Sequence, residues 1–353
     1  MTVPIYILSG FLGSGKTTLL QHMLENWKAE GKTPAVVMNE IGDVNLDGMM
    51  LGEDVAMAEL LSGCICCSNR ADLGTELYNL IQTGEPDVIV IEASGVANPI
   101  EILDAVTEIS LYHRMELRNL ITVVDAAHLW ELYEQQQGKT YRLMQEQIRA
   151  ASVLMINKSD LLDSKRLEQV QQIARGWNPY APMHVTVRCE LDRDLYEQAS
   201  HALAGEHQAT NADQLTTDEY NHHSANHDHD HNYHSDHHDH SHSHNEHERV
   251  HAPHHSHEHV MVYTHYFEQP INSEAFEALI AGLPAEIYRA KGILTFNDTN
   301  SRFLFQYAYR QSDFMKITPQ KPLPDVAVFI GEHFDKRHIQ ELLLTLERQE
   351  SEA

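Results

Sequence analysis

GFLGSGKT, residues 10–17, is the most informative stretch of this 353-residue sequence. It follows the apolar run IYIL (5–8) and precedes TTLLQHMLENWKAE (17–30), which has the pattern of an amphipathic helix. The stretch matches G-x-x-x-x-G-K-[ST], and the strand before it and the helix after it are the context that a phosphate-binding loop requires. The sequence therefore predicts a phosphate-binding loop between a first strand and a first helix.

Four further short apolar runs follow, separated by helical patterns: AVVM (35–38), VIVI (88–91), ITVV (121–124) and VLMI (153–156). Runs of this kind are typical of strands buried on both faces. Strands that alternate with helices favour a parallel sheet covered by helices on both sides. We expect an α/β fold of the P-loop NTPase class, with a mostly parallel sheet.

The chemistry of residues 10–18 is that of a phosphate cradle. Glycines allow the backbone amides to turn inward around phosphate oxygens. Lys16 supplies a cation to the β- and γ-phosphates, and the Thr17 hydroxyl can ligate Mg²⁺. The predicted nucleotide-binding residues of this loop are Gly10, Gly13, Ser14, Gly15, Lys16, Thr17 and Thr18.

A second motif is IEASGVANP, residues 91–99, at the end of the VIVI strand. Glu92 stands where a Walker B acid belongs, so it is the predicted second protein ligand of Mg²⁺ and a catalytic candidate beside Lys16. Gly95 can offer its amide near the γ-phosphate. The alternative for Glu92 is a strand-end carboxylate without a ligand.

A third motif, INKSDLL (156–162), indicates the base. A carboxylate at Asp160 can accept hydrogen bonds from the N1–H and the 2-amino group of guanine, whereas adenine lacks that pair of donors. Asn157, Lys158 and Asp160 lie about 140 residues after the phosphate loop, at the end of a core strand. GTP is therefore favoured over ATP, although N-K-x-D by itself is often only a helix cap.

Three of the four cysteines fall within GCICC (63–67): Cys64, Cys66 and Cys67. Their thiolates are soft donors suited to Zn²⁺ or Cu(I). A fourth ligand must come from elsewhere, and such an incomplete shell permits release of the metal. Buried structural cysteines and a redox pair are the alternatives to this predicted metal site.

The acidic loop NEIGDVNLD (39–47) follows the second strand, where a first switch loop belongs. Glu40 and Asp47 are catalytic candidates that can approach Mg²⁺ or the attacking water. An ordinary solvated loop is an equally good interpretation for any single residue here.

Composition also points to cations. The chain has 25 Lys plus Arg, 52 Asp plus Glu and 26 His, with a formal net charge of −27. Residues 206–259 contain 18 of those histidines, 11 acidic residues and one basic residue, and almost no large aliphatic side chains. Such a segment cannot bury enough apolar surface to fold, so we expect a disordered linker that captures metal ions. A solvated linker without a role is the alternative.

Ordered patterning resumes at residue 260. MVYTHYF, GILTFND, RFLFQYAY and VAVFIG resemble strands, and SEAFEALIAGL and KRHIQELLLTLERQ resemble helices. We therefore expect a P-loop domain over 1–205, the linker over 206–259, a small C-terminal α+β domain over 260–347 and a tail over 348–353. Arg289 and Lys291 of that C-terminal domain are expected to be solvated surface charges, and contact with the nucleotide or a partner is the alternative.

Several classes of function are disfavoured. The negative charge opposes sequence-independent binding to nucleic acid and docking on anionic lipid. No apolar run approaches the ~20 residues of a membrane helix, and the N-terminus does not have the pattern of a signal peptide. Clustered cysteines are not a disulfide framework, so we expect reduced thiols and a cytoplasmic protein.

Together these residues resemble the CobW-like family of P-loop GTPases, whose members act as metal chaperones. The resemblance rests on GFLGSGKTT, NEIGDVNLD, GCICC, EASGVANP, NKSD, the histidine-rich insertion, RAKGIL and VFIG. The branch of zinc-regulated GTPase metalloprotein activators is the most similar. That similarity implies Zn²⁺ at Cys64, Cys66 and Cys67, with Asp43 as an additional ligand. Some relatives carry another acidic ligand at a position that is Met38 here.

The resemblance implies GTP/GDP, Mg²⁺ and Zn²⁺ as cofactors, and a client apo-metalloprotein as partner, with a homodimer possible. In the mechanism that we expect, GTP orders residues 40–47 and the segment after Cys67, and hydrolysis relaxes both so that zinc moves to the client. No arginine finger or catalytic glutamine is evident, so intrinsic turnover should be slow. A cobalt or nickel insertase and a zinc buffer or store are the alternatives.

Overall fold

A computed structural model describes residues 2–38, 56–59, 70–135, 138–190, 259–299, 301–308, 310–319 and 322–351. The candidate residues Glu40, Asp43, Asp47, Cys64, Cys66 and Cys67 lie outside these ranges, as does the histidine-rich segment up to residue 258. Within the described part of the chain, no helix combines the length and the apolar character needed to cross a membrane.

The first sheet is parallel throughout its described pairings, and its strands run in the order β3-β2-β4-β1-β5-β6-β7. It confirms all five predicted strands. Their bounds are β1 Val3–Ser9, β2 Pro34–Met38, β3 Ala56–Glu59, β4 Val88–Glu92, β5 Met115–Asp125, β6 Val153–Asn157 and β7 Met183–Val185.

In the described part of the chain, the helices that accompany this sheet are α1 Lys16–Ala29, α2 Arg70–Gly84, α3 Pro99–Ile109, α4 Ala126–Gln135, α5 Lys139–Ala150 and α6 Ser164–Trp177. β1 lies between β4 and β5, so the strand order changes direction beside it. In open α/β sheets a ligand crevice forms at such a point, outside the carboxyl ends of the strands. The phosphate loop and the end of β4 meet there.

The second sheet is antiparallel, in the order β11-β10-β9-β12-β8. Its strands are β8 Val260–Phe267, β9 Ile287–Phe296, β10 Ser301–Ala308, β11 Gln311–Ile317 and β12 Asp325–Glu332. Two helices belong to it, α7 Ser273–Ala281 and α8 Lys336–Ser351. An aromatic-rich core that includes Phe276, Phe305 and Phe329 holds the helices against the strands. The α/β fold and the C-terminal α+β unit are thus confirmed.

Helix α3 belongs to the cores of both sheets. Residues 102–107 are buried without interruption, so no face of this part of the helix is left to solvent. Its apolar side chains share one cluster with Ile89 and Ile91 of the first sheet and with Val326 and Val328 of the second. The two sheets are therefore joined through α3 by buried apolar contacts.

Ion pairs reinforce this junction and correct the expectation for Arg289 and Lys291. The Arg289 guanidinium lies 2.5 and 2.6 Å from the two oxygens of Asp104 on α3, and Lys291 Nζ lies 3.9 Å from Glu108. From their charge alone, Arg289 and Lys291 were expected to lie in solvent. Asp104 is only 7% exposed, however, and a buried carboxylate needs a partner. Both side chains thus face α3.

Tyr266 fastens β8 to the segment between α3 and β5. Its hydroxyl oxygen accepts a hydrogen bond from Met115 N at 2.7 Å and lies 2.9 Å from the carbonyls of His113 and Met115. Burial raises the pKa of this phenol, so it remains a neutral donor.

Candidate functional site

The phosphate loop lines a cavity of about 290 Å³ at the carboxyl end of the first sheet. Its wall comes from the start of α1 on one side and from the end of β4 and the residues after it on the other. The lining residues are Leu12, Gly13, Gly15, Lys16, Thr17, Thr18, Met38, Glu92, Ala93, Ser94 and Gly95. Seven of the predicted site residues therefore meet in one cavity, whose floor is the N-terminus of a helix.

The loop conformation depends on glycine at Gly15. Its φ of 113° lies in the left-handed region, and it forms the N-cap of α1. A Cβ there would come within 2.5 Å of Asn157 Nδ2 and 3.1 Å of Cys189 Sγ. The loop can therefore pack against the end of β6 only because residue 15 has no side chain.

Lys16 is buried and lies against its own loop. Its Nζ donates hydrogen bonds to the carbonyl oxygens of Gly10 at 3.0 Å and Phe11 at 3.3 Å. These two partners are neutral, so an oxygen of a negatively charged phosphate group competes well for the ammonium group. The Lys16 ammonium group therefore lies beside the cavity, and its two hydrogen bonds hold the loop closed.

Thr17 and Glu92 form the predicted Mg²⁺-binding pair. Thr17 Oγ1 donates to Glu92 Oε1 at 2.8 Å, which joins the start of α1 to the end of β4. A hydroxyl and a carboxylate in contact at the rim of a phosphate cavity are the oxygen donors that Mg²⁺ accepts from a protein. The residues present therefore fit this ion.

Gly95 lies directly over the phosphate loop. A Cβ at this position would come within 2.6 Å of Leu12 N, so only glycine allows the two backbones to approach this closely. The Gly95 carbonyl accepts a hydrogen bond from Gln147 Nε2 of α5 at 3.2 Å. Helix α3 begins only four residues later, where the Asn98 side chain caps Ile100 N.

Asn157, at the end of β6, links the N-K-x-D segment to the phosphate loop. Its Nδ2 donates to Ser14 O at 2.8 Å, and its Oδ1 accepts from Cys189 N at 2.9 Å and Thr186 Oγ1 at 3.3 Å. All of these bonds are buried. Asn157 therefore fixes the position of the predicted base-binding segment relative to the phosphate loop.

Lys158 and Asp160 differ in environment. Lys158 has a left-handed φ of 58°, and its Nζ lies 2.7 Å from Asp125 at the end of β5. Asp160 follows in a short 3₁₀ turn and is exposed. The Asp160 carboxylate thus faces solvent, whereas the Lys158 side chain is held by its ion pair with Asp125.

Cys189 closes this end of the site. Burial raises the pKa of its thiol to about 12, and its carbonyl oxygen lies 3.1 Å from His22 Nδ1. The sequence offered no partner for either residue, and it also offered none for His128, whose ring packs against Phe11 of the loop at 5.2 Å. Cys189 and His128 thus contact the phosphate loop, and His22 contacts Cys189.

Asp125 and Gln147 were missed by sequence reasoning. Asp125 stood at the end of a recognised strand, a position that could have marked it. Gln147 had no comparable signal, because it lies within a helix and acts on a backbone carbonyl. Within the described ranges, no group of three or more His, Cys, Asp or Glu side chains is arranged to hold a metal ion.

Two protein-family profiles match this chain. The profile described as "CobW/HypB/UreG, nucleotide-binding domain" matches residues 4–185, and that described as "Cobalamin synthesis protein cobW C-terminal domain" matches residues 260–347. The first covers the phosphate loop, Glu92, Gly95 and the N-K-x-D segment. The second covers the antiparallel sheet.

Similar proteins carry names of the same kind. The chain is 33% identical over 207 residues to zinc chaperone CobW of Pseudomonas aeruginosa. That alignment covers 51% of this chain and 55% of that protein. It is 36% identical over 200 residues to zinc-regulated GTPase metalloprotein activator 1 of Schizosaccharomyces pombe. That alignment covers 54% of this chain and 47% of that protein. The matches thus span about half the length of these relatives.

The crystal structure of Zn(II)-bound YjiA GTPase from Escherichia coli aligns with 98% of this chain at 20% identity, with a TM-score of 0.42. The family profiles, with the phosphate loop and the antiparallel sheet that they cover, lead to one assignment. The chain belongs to the CobW/HypB/UreG family of P-loop GTPases and carries the CobW-type C-terminal domain.

Proposed function

We propose that this protein is a GTP-hydrolysing metallochaperone, which binds Zn²⁺ at Cys64, Cys66 and Cys67 and transfers it to a client apo-metalloprotein. One observation carries the nucleotide half of this proposal: Thr17 and Glu92 contact each other at the rim of the cavity formed by the phosphate loop. The names of the relatives support the metal half.

In the first step Lys16 exchanges its carbonyl partners for phosphate oxygens. Its ammonium group is already beside the cavity, so little rearrangement is needed before it can offset charge on the transferred phosphoryl group. The backbone amides at the start of α1 face the same phosphates. These groups position GTP and reduce the cost of charge that develops during hydrolysis.

Thr17 and Glu92 would hold Mg²⁺ beside the β- and γ-phosphates. The ion, when bound, supplies positive charge that neutralises the phosphate oxygens. Glu40 and Asp47, in the stretch 39–47 that follows β2 in sequence, stay as proposed catalytic residues.

The base is recognised by Asp160 in this proposal. Its exposed carboxylate has the acceptors that the N1–H and 2-amino group of guanine require, and Asn157 ties this turn to the phosphate loop. A nucleotide can then span the two loops as one ligand. Lys158 lies along the same turn, with Asp125 holding its ammonium group.

Metal transfer is coupled to hydrolysis through the segments that follow β2 and β3. Loss of the γ-phosphate would remove their contacts, change the arrangement of the three thiolates and release zinc to ligands of the client. Asp43 would complete the shell before transfer. The histidine-rich segment would supply ions to this site, in a cytoplasm whose reducing conditions keep the thiols free.

The base assignment is tested by Asp160→Asn. An asparagine amide N–H can pair with the 2-carbonyl of xanthine, so hydrolysis should switch from GTP to XTP. We expect about 100-fold lower kcat/KM for GTP, because hydrogen bonds to a charged acceptor are worth about 1.5–3 kcal/mol each. Glu168→Gln, which removes an exposed carboxylate on α6, is the matched control. Unchanged GTP preference would overturn the assignment.

The metal assignment is tested by dialysis against a chelator that strips weakly bound ions, followed by metal analysis with and without GTP. Wild-type protein should retain about one Zn²⁺ per chain, and the C64S/C66S/C67S variant should retain none, since tight binding needs the thiolates. Cys189→Ala is the control that removes the remaining thiol. Retention of cobalt or nickel instead of zinc would favour the insertase alternative.

A further inference from the structure

Two histidines meet where the second sheet begins. His259 directly precedes β8, and His333 directly follows β12. Their rings are parallel within 2°, with centroids 5.2 Å apart. β8 and β12 are neighbours in the antiparallel sheet, so the end of one lies beside the start of the other.

The ring of His259 is held in a defined orientation. The residue is only 8% exposed, its backbone N–H donates to Arg149 O at 2.5 Å, and its ring donates a hydrogen bond to the carbonyl of Ala151. Histidines that ligate metals commonly use one ring N–H in this way, bound to a carbonyl, which leaves the other nitrogen as the ligand.

That other nitrogen has unused bonding capacity. His259 Nδ1 is buried and has no hydrogen-bond partner among the residues that the structure describes. Burial lowers the pKa of His259 to about 4, so its imidazole is neutral. A buried nitrogen lone pair without a donor costs free energy, and a ligand that accepts the pair would relieve that cost.

We propose that His259 and His333 form a second metal site, a two-imidazole site for a divalent ion such as Zn²⁺, Ni²⁺ or Cu²⁺. His259 supplies the oriented nitrogen, and His333, an exposed residue whose ring packs against Tyr180 with centroids 3.4 Å apart, supplies the second imidazole. Two imidazoles leave positions for water or for incoming ligands, which makes the site weak and exchangeable compared with a closed structural site.

Position agrees with this role, and the nearby charges are mixed. Glu332 raises the pKa of His259 and attracts a cation, whereas Lys336 has a larger, opposite effect. In sequence, His259 is the last of the 18 histidines within residues 206–259. The pair of ligands therefore follows directly on the histidine-rich segment in sequence.

The inference does not rest on GTP hydrolysis, and its failure would leave the proposed function intact. A position-specific probe is required, because the chain contains 26 histidines. His333→Cys in the full-length C64S/C66S/C67S protein places one thiolate at the site. Titration with Co²⁺ should then produce an intense near-ultraviolet band from thiolate-to-metal charge transfer.

Adding His259→Phe to that protein should remove the band or weaken Co²⁺ binding at least about tenfold, since one ligand is lost while ring packing is kept. His259→Asn is a second variant, which can still donate to Ala151 but has no ring nitrogen. His338→Cys, an exposed position near the start of α8, is the matched control. A band there should not respond to His259→Phe.

A merely structural stack of aromatic rings predicts a different result. In that case the band of the His333→Cys protein would be absent, or it would persist unchanged in both His259 variants. Either outcome overturns the proposal. Wild-type GTP hydrolysis and zinc retention at the three cysteines would be unaffected by these results, so the two hypotheses are separated.

Discussion

The phosphate end and the base end of the nucleotide cavity are built on opposite plans. At the phosphate end, the chemically active side chains of Lys16, Thr17 and Glu92 contact one another or their own loop. At the base end, Asn157 is fixed by three buried hydrogen bonds, and Asp160 is the exposed residue of the N-K-x-D motif. In the proposed function the phosphate end exchanges its partners for a ligand, whereas the base end keeps its partners and presents a carboxylate.

The difference teaches which substitutions affect activity and which affect folding. Groups that must release their partners on binding contribute little to the stability of the protein, whereas groups with permanent buried partners contribute much. We therefore expect changes at the phosphate end to reduce hydrolysis, and changes behind the base end to reduce the free energy of unfolding.

Lys16→Ala should have the largest effect. Removing the ammonium group should lower kcat for GTP by about 100-fold or more, in line with the loss of one preorganised group that stabilises transition-state charge. Steady-state phosphate release measures this. Lys165→Ala, which removes an exposed lysine on α6, should leave turnover unchanged, and a Lys16→Ala protein of normal turnover would contradict the proposed role.

Asn157→Ala should mainly destabilise the fold. It leaves Ser14 O and Cys189 N without their buried partner, and each such group costs about 1–3 kcal/mol. Urea unfolding should therefore show a loss of at least about 2 kcal/mol. Asn79→Ala, at an exposed position of α2, should differ from wild type by less than about 0.5 kcal/mol. A stable Asn157→Ala protein would show that the base end is not preorganised.

Gly95→Ala should sharpen the comparison, because Gly95 belongs to the phosphate end but has no side chain of its own. The new methyl group meets Leu12 N at 2.6 Å and Leu12 Cα at 2.8 Å, so the segment after β4 must move. We expect about tenfold lower kcat, with GDP affinity retained, since a misplacement near 1 Å can cost up to 10²-fold. Gly176→Ala, which has open space around it, is the control.

The smallest effect concerns Cys189. Its folded-state pKa of about 12 lies above the ordinary value, so folding favours the neutral thiol. The stabilisation is complete below the unfolded pKa of about 8.5 and is lost as pH rises toward 12. In the C64S/C66S/C67S protein, a thiol reagent at pH 8 should react only after unfolding. The free energy of unfolding should decline between pH 8 and pH 10, and Cys189→Ala should remove that decline.

Sequence patterns predicted the elements whose identity depends on burial. β1, β2, β4, β5 and β6 are covered on both faces, so each appears as a continuous apolar run. By contrast, β11 is largely exposed at a sheet edge, and its sequence QSDFMKI has no clear alternation. The short strand β7 has only three residues and was equally unreadable.

The residues of the candidate site also differ in how well the sequence predicts them. Residues 10–17 were readable because their chemistry is local in sequence and requires particular side chains. Gln147 and Cys189 act through backbone atoms of distant segments, where the type of residue leaves little trace. The pairing of Arg289 with Asp104 depends on how the second sheet meets α3, which no local pattern encodes. Roles for Glu40, Asp43, Asp47, Cys64, Cys66 and Cys67 stay predictions.

Helix α3 has a consequence for how the protein unfolds. Because its apolar side chains share one buried cluster with both sheets, the second sheet cannot separate without exposing residues that the first sheet alone does not cover. Both sheets should therefore melt in one cooperative transition. A chain truncated after residue 205 would present that uncovered helix surface to solvent and should self-associate. The inserted segment before His259 thus divides the sequence without dividing the folding unit.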